Sequence, residues 1–167
     1  MEISNEKISE YSKRLILSRM RILSKNGFFG LLLMHAKFTI ENVGTAATDG
    51  NKIYFDPKFL DSLSDSELDF VLMHEILHIA LKHNERTGKK NNNLFNIATD
   101  IVVNSNILYS TGGYETAISL GKKVGCMHVA PDGKEGYLYT AEQVYEMLQK
   151  KLIKDAEIFL WDNPHLL

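Results

Sequence analysis

A capped and largely apolar helix that contains two histidines and a glutamate is the strongest constraint on how this chain of 167 residues folds. Residues 64–67, with the sequence SDSE, have the pattern of a capping box, which predicts that a helix begins there. Apolar residues then dominate as far as about residue 83, so most sides of the helix are expected to be buried. His74, Glu75 and His78 interrupt this apolar run, and burying such groups is costly unless they have partners.

The spacing of these three residues predicts a metal site. His74 and His78 are four positions apart, so they lie about 40° apart around a helix axis, one turn above the other. Both imidazoles can therefore reach one ion, and zinc accepts neutral imidazole nitrogen. Glu75 is rotated by about 100° from His74, which places its carboxylate beside the ion as a base for a water molecule. The alternative is a pair of exposed histidines on a surface helix.

A catalytic zinc normally has three protein ligands, and Asp100 is the predicted third. It is the one acidic residue in the apolar segment 97–103, and a carboxylate buried on such a helix needs a cation. Asn96 and Asn104, four residues to either side, extend a polar stripe along the same face. In the alternative interpretation, Asp100 caps a loop or pairs with Arg14, Arg19 or Arg86.

Other polar residues are weaker candidates. His83 is rotated by about 140° from His78 on a continuous helix, so it should point away and bind a backbone carbonyl at the helix end. His128 lies in a predicted loop and is a second rival ligand, whereas His35 and His165 are expected to be bystanders. No oxyanion stabiliser is evident. Tyr109 and Tyr114 are candidates for that role, although such tyrosines are more often core or surface residues.

The rest of the chain predicts a mostly helical α+β domain with a small β-sheet beside the helix that contains His74 and His78. Residues 1–167 are expected to form one domain, which could be the N-terminal part of a longer protein. Predicted helices cover about residues 5–25, 65–83 and 94–108. A second capping box, TAEQ at 140–143, predicts the start of a further helix, and a strand-turn-strand unit with its turn at Asp49-Gly50 covers residues 45–55. Residues 28–34 fit either a helix or a strand, and residues 110–138 are predicted to be mostly loop.

Composition narrows the function classes. The formal net charge of -2 gives no reason to expect a nucleic acid or an anionic membrane as a partner. Cys126 is the single cysteine, so no internal disulfide forms. The N-terminal region lacks the apolar stretch of a signal peptide, and no apolar run is long enough to span a bilayer. These features together predict a cytoplasmic protein.

Four segments together resemble a known family. The chain is similar to the zincin-like metallopeptidase domain that often precedes a von Willebrand A-like domain in bacterial proteins. The resemblance covers roughly residues 10–150 and is based on TAATDG at 45–50, IYFDPKF at 53–59, the HExxH motif with its following His83, and the NIAxDxxxN pattern from Asn96 to Asn104. It implies a zincin-like fold, a zinc site on the HExxH helix and, in some members, association with an AAA-type ATPase.

The resemblance also suggests where a peptide or protein substrate would bind. Either the strand Ile53-Tyr54-Phe55 or the segment 46–48 would then be the edge strand above the metal, to which an extended peptide adds by main-chain hydrogen bonds. Ile53, Tyr54 and Phe55 are the predicted substrate-binding residues. In the alternative, these strands only complete a small sheet.

The sequence thus favours a zinc-dependent peptidase in which Glu75 is the catalytic base and His74, His78 and Asp100 bind the metal. Two alternatives remain open at this point. One is a catalytically silent zinc-binding adaptor, and the other is a peptidase dedicated to a single partner protein.

Overall fold

Helices make up most of the protein, together with one small sheet. The computed structural model describes the backbone of residues 3–162 and the side chains of residues 3–158. The α-helices are α1 (Asn5–Lys25), α2 (Gly27–Met34), α3 (Pro57–Ser62), α4 (Asp65–Ala80), α5 (His83–Arg86), α6 (Asn92–Thr111), α7 (Tyr114–Lys123) and α8 (Ala141–Asp162). The strands are β1 (Lys37–Ile40), β2 (Ala46–Thr48) and β3 (Lys52–Phe55), and a 3-10 turn covers Gly136–Leu138. The predicted α+β class is confirmed.

Between residues 3 and 162, none of the helices combines the length and the apolar character that crossing a bilayer requires.

The predicted capping boxes define the starts of two long helices. At α4, the Ser64 hydroxyl accepts from the backbone N–H of Glu67 at 3.2 Å, and the Glu67 carboxylate accepts from the Ser64 N–H at 2.8 Å. Thr140 and Gln143 make the same reciprocal pair at the start of α8, at 3.2 and 2.9 Å. Each pair satisfies two of the backbone N–H groups that a helix start leaves open, so both helices begin where the sequence predicts.

The sheet has the strand order β1-β3-β2, with β1 parallel and β2 antiparallel to the central strand. The β2–β3 hairpin turns at Asp49-Gly50, as predicted: the Asp49 carboxylate accepts from two backbone N–H groups at 2.8 Å, and Gly50 has a positive φ of 96°. The sequence did not reveal β1. Because β3 has a neighbour on both sides, β2 is left as an edge strand of the sheet.

Helix α4 lies at the centre of the fold and packs against α1, α2, α6, α7 and β2. Its apolar side chains, among them Leu68, Leu72 and Ile76, belong to the main core, which also receives residues from the sheet. A second core lies between α6 and α8 and contains Phe95 and Val144. The residues of the HExxH motif are therefore fixed on the most extensively packed helix of the described chain.

Two of the predicted boundaries are wrong. Residues 110–138 are not mostly loop, because α7 occupies Tyr114–Lys123 and buries Ala117 and Leu120 against the core. Two glycines precede α7 and a third lies within it, and this glycine content favours a loop when only the sequence is considered. The motif helix also ends earlier than predicted, at Ala80, because Lys82 adopts a left-handed conformation with a φ of 54°. The chain turns there and begins α5 in a new direction.

The close packing of α1 on α2 gives a testable prediction. A Cβ atom at Gly30 would lie 2.5 Å from the Cα of Leu23, so α2 has to move if a side chain is added. In a helix interior, alanine is normally more favourable than glycine by about 1 kcal/mol. Because of this contact, we nevertheless expect Gly30→Ala to lower the free energy of unfolding by about 1–3 kcal/mol. Gly121→Ala in α7 is the matched control, since a Cβ there meets nothing within 4 Å.

Chemical denaturation of both variants measures the difference. The control should be as stable as the unmodified protein or slightly more stable. Equal stability of the two variants would show that the α1–α2 contact does not restrict the chain as described.

Candidate metal centre

Three side-chain atoms that can bind a metal converge on one point. The Nε2 atoms of His74 and His78 are 3.0 Å apart, and the Oδ1 atom of Asp100 lies 3.3 Å from the first and 3.1 Å from the second. Zinc ligands at about 2.0–2.2 Å in a tetrahedral arrangement are about 3.3–3.6 Å from one another. The observed triangle is close to one face of such a tetrahedron. These three residues are referred to below as the metal triad.

Two crossing helices bring the metal triad together. Helix α4 presents His74 and His78 one turn apart, with ring centroids separated by 4.5 Å. Helix α6 packs against α4 and supplies Asp100 from the polar stripe that the sequence shows. The residues predicted as ligands are thus assembled by an α4–α6 contact, which a sequence pattern within one helix cannot show.

Asn104 fixes the orientation of the His74 ring. The Nδ2 of this asparagine donates to the carbonyl of Met127 at 2.9 Å, so its Oδ1 is the atom that faces Nδ1 of His74, at 2.7 Å. Since Oδ1 can only accept, Nδ1 carries the proton, and in the neutral ring Nε2 presents its lone pair to the triad. Outer hydrogen bonds of this kind hold metal-binding histidines in the correct tautomer.

His83 performs the same task for His78. The two Nδ1 atoms are 2.9 Å apart, and the His83 side chain is buried. Burial lowers the pKa of His83 to about 3, helped by the charges of His78 and Arg86, so this ring is neutral. When His83 accepts at Nδ1, His78 donates from Nδ1 and leaves its Nε2 lone pair for the metal triad.

The role of His83 differs from its predicted one. It binds the His78 ring instead of a backbone carbonyl, because the left-handed Lys82 ends the helix and redirects the chain back toward the site. No glycine marks this break, so the sequence contained no signal for it. The Nε2 of His83 has no hydrogen-bond partner within residues 3–158.

The electrostatics of the metal triad favour a positive charge at its centre. Burial lowers the pKa of His74, but the hydrogen bond to Asp100 and the charges of Glu75 and Asp100 outweigh it and raise the pKa to about 9. Burial would raise the pKa of Asp100, and hydrogen bonds from His74 and His78 instead hold it far below its usual range. Two imidazole nitrogens and one carboxylate oxygen form a donor set that fits zinc.

Glu75 lies beside the metal triad and is not one of the three converging groups. It is 7% exposed, and burial raises the pKa of its carboxyl above the usual value, although His74 and His78 act in the opposite direction. A carboxylate with a raised pKa next to a metal is suited to accept a proton from water.

A cleft passes over the metal triad. Two cavities of about 270 and 350 Å³ meet there, and both are lined by His74, Glu75, Asp100 and Ala46. Ala46 begins β2, so the edge strand of the sheet borders both cavities.

The predicted substrate-binding strand requires a correction. Ile53, Tyr54 and Phe55 form β3, which is central and therefore has no free edge for a peptide. Ile53 and Phe55 are 0% exposed in the main core, and the Tyr54 hydroxyl donates to Asp49. The other segment considered, β2, is the edge strand above the metal triad. Both segments are short, and tertiary packing sets the order of the strands, so the sequence alone did not decide which is central.

Two of the arginines considered as ion-pair partners of Asp100 have other partners. Arg14 donates to the carbonyls of Leu60 and Leu63, and Arg86 pairs with Glu142, so neither neutralises Asp100.

Neither tyrosine considered as an oxyanion stabiliser lines the cleft. Tyr109 is 70% exposed and packs on Tyr137, and Tyr114 packs on His128. His128 itself pairs with Glu135 at 2.9 Å. His35 is the residue that follows α2, and His165 lies outside the described residues.

Comparison with known families agrees with this geometry. Residues 10–155 match the model of a family described as a putative metallopeptidase domain. The chain belongs to this family. The match includes the metal triad, Glu75 and β2. No curated protein and no solved structure matches the chain.

The contact between Asn104 and His74 leads to a prediction about metal affinity. Asn104→Ala removes the acceptor that fixes the His74 ring, so we expect zinc to bind about 10–100-fold more weakly. Asn96→Ala is the matched control, because this exposed asparagine lies on the same stripe of α6 without contacting a triad histidine. Competition with a chromophoric chelator measures both affinities. Equal affinities would show that the outer hydrogen bond has no effect on the metal.

A second prediction concerns pH. With a pKa of about 9 in the metal-free protein, His74 is protonated at neutral pH, and zinc has to displace that proton. Zinc affinity should therefore rise as pH rises, by about tenfold for each pH unit below about 9. Chelator competition at three pH values between about 6 and 8 tests this, after correction for the chelator's own protonation. A flat profile would contradict the proton–metal competition.

Proposed function

We propose that the protein is a zinc-dependent peptidase in which Glu75 is the proton-transferring base. One observation is the main support: two imidazole nitrogens and one carboxylate oxygen converge beside a buried glutamate, at the edge of a sheet. Membership of the metallopeptidase domain family agrees with this chemistry. The reaction is the hydrolysis of a peptide bond in a peptide or protein substrate.

The metal triad would hold the zinc ion through the two Nε2 atoms and Oδ1. When bound, zinc polarises a water molecule and the substrate carbonyl. Asn104 and His83 keep the histidine rings in the tautomer that presents Nε2. The pKa of Asp100 lies far below its usual range, so this ligand stays ionised at neutral pH.

Glu75 moves the proton in this proposal. Glu75 lines both cavities, beside the point at which a bound peptide bond would lie. The burial that raises its pKa makes it a better acceptor of the proton from water than an exposed glutamate is. The protonated form can then donate to the nitrogen of the leaving amine, which completes the transfer.

The backbone of Ala46 would position the substrate. Asp56, which directly follows β3, donates its N–H to the carbonyl of Thr45 at 2.9 Å. The backbone groups of Thr45 therefore point toward the β3 side. In an antiparallel pair, neighbouring residues alternate in direction, and the N–H and C=O of Ala46 therefore point away from the sheet. The Ala46 carbonyl accepts from the Thr45 hydroxyl at 3.2 Å, and an extended peptide that replaces this contact can pair with both groups, as strand addition requires.

A catalytically silent zinc-binding adaptor explains fewer features. A structural zinc is normally enclosed by four protein ligands, whereas the described residues bring three candidate donors together. A base beside an open cleft would also have no task in an adaptor. The cytoplasmic location and the AAA-type ATPase partner stay predictions.

The proposal predicts a specific effect of Glu75→Gln. Glutamine keeps the size of the side chain but cannot take the proton, so hydrolysis should fall by about 10²–10⁴-fold while zinc content stays at one ion per chain. The measurement incubates zinc-loaded proteins with a denatured protein mixture and compares new N-termini by mass spectrometry.

Two controls frame this experiment. Glu146→Gln changes an exposed glutamate of α8 and should cleave as the unmodified protein does. His78→Ala removes a ligand and should lose both zinc and cleavage. Identical peptide profiles for the unmodified protein and Glu75→Gln, both with full zinc occupancy, would favour the adaptor.

A further inference from the structure

The two cavities of the cleft differ in chemical character. The cavity of about 270 Å³ at the start of β2 is walled by apolar side chains from four elements or loops: Phe59, Phe70, Val71, Leu120, Val124 and Met127. The cavity of about 350 Å³ on the other side of the metal triad is lined mainly by polar residues, among them Thr48, Asn84, Asn96 and Thr99. A peptide that crosses the metal triad therefore meets an apolar site on one side and a polar site on the other.

The apolar cavity is a built feature of the fold. Phe70 and Val71 belong to α4, one turn before His74, and Leu120 is 2% exposed at the end of α7. The Val124 N–H donates to the carbonyl of Leu120 at 2.8 Å, which fixes the start of the loop that forms the outer wall.

The outer wall is also tied to the metal triad. Asn104 donates to the carbonyl of Met127 while it accepts from His74, so one side chain holds both the loop and a ligand. The cavity thus has a fixed position relative to the reacting centre.

We propose that this cavity, named the apolar subsite, binds a large apolar side chain such as leucine or phenylalanine next to the scissile bond. The inference rests on the proposed peptidase function and adds its sequence preference. A cavity of about 270 Å³ is just below the range of about 300–1,000 Å³ that holds a whole drug-sized ligand, so it suits a single side chain.

The direction of β2 assigns the apolar subsite to the residue after the scissile bond. The cavity lies at the Thr45–Ala46 end of β2, and the polar cavity extends to Thr48. A peptide that pairs with β2 in the antiparallel sense, the more stable one, runs from Thr48 toward Ala46. Its N-terminal part then lies in the polar cavity, and the residue on the carboxyl side of the cut enters the apolar subsite.

Two succinyl hydroxamates test the subsite without any need for hydrolysis. One has an isobutyl group next to its metal-binding hydroxamate arm, in place of a leucine side chain, and the other has hydrogen there. Calorimetry measures their affinities for the zinc-loaded protein. The isobutyl compound should bind about 10–200-fold more tightly, which is the range that a filled apolar pocket provides.

A pair of valine variants locates the effect. Val124 is 49% exposed at the mouth of the apolar subsite, and Val124→Arg should abolish most of the isobutyl preference. Val129 is 43% exposed and does not line this cavity, so Val129→Arg should keep the preference unchanged. Cleavage of a random peptide library by the unmodified protein should show leucine and phenylalanine enriched immediately after the cut.

The outcomes separate the two proposals. Equal affinity for the two hydroxamates, or loss of the preference in both valine variants alike, would overturn the apolar subsite and leave the peptidase proposal intact. Enrichment of apolar residues before the cut would overturn the assigned direction. If neither hydroxamate binds the zinc-loaded protein, the proposed function fails, and the subsite inference fails with it.

Discussion

Three electron-pair donors directed at one point repel one another unless a cation lies between them. In this protein the point is bordered by His74, His78 and Asp100, which are all partly shielded from solvent, and holding them together without a cation would be costly. The surrounding structure depends on this constraint. Asn104 and His83 hold the rings in one tautomer, and the α4–α6 crossing keeps the carboxylate in place. A proton can satisfy the site in the metal-free protein, and a metal ion that binds all three atoms would satisfy it as well.

The sequence predicted those parts of the site that depend on local order. Two capping boxes located α4 and α8, and the four-residue spacing of His74 and His78 requires only that α4 is helical. Asp100 could be recognised because an acidic group in an apolar helix has few acceptable surroundings. Asn104 belonged to the same polar stripe, although its contact with His74 could not be derived from the stripe alone.

Features that depend on tertiary packing were beyond this kind of prediction. The order of the three short strands depends on contacts between segments that are distant in sequence. The sequence therefore did not show that β2 is an edge strand and β3 the central one. Helix α7 is short and follows two glycines, so the sequence of this segment favoured a loop. The contact of His83 with His78 requires a left-handed lysine at position 82, a conformation that sequence does not favour there.

The short edge strand has a consequence for the behaviour of the protein in solution. An exposed strand edge is a template for aggregation as well as a binding site. Here β2 has only three residues, and the amide of Asn84 lies 3.4 Å from the carbonyl of Thr48 at its far end. The open edge is therefore reduced to about one residue's backbone beside the metal triad. A second copy of the sheet would gain too few hydrogen bonds by pairing with β2, so this edge is poorly suited to aggregation.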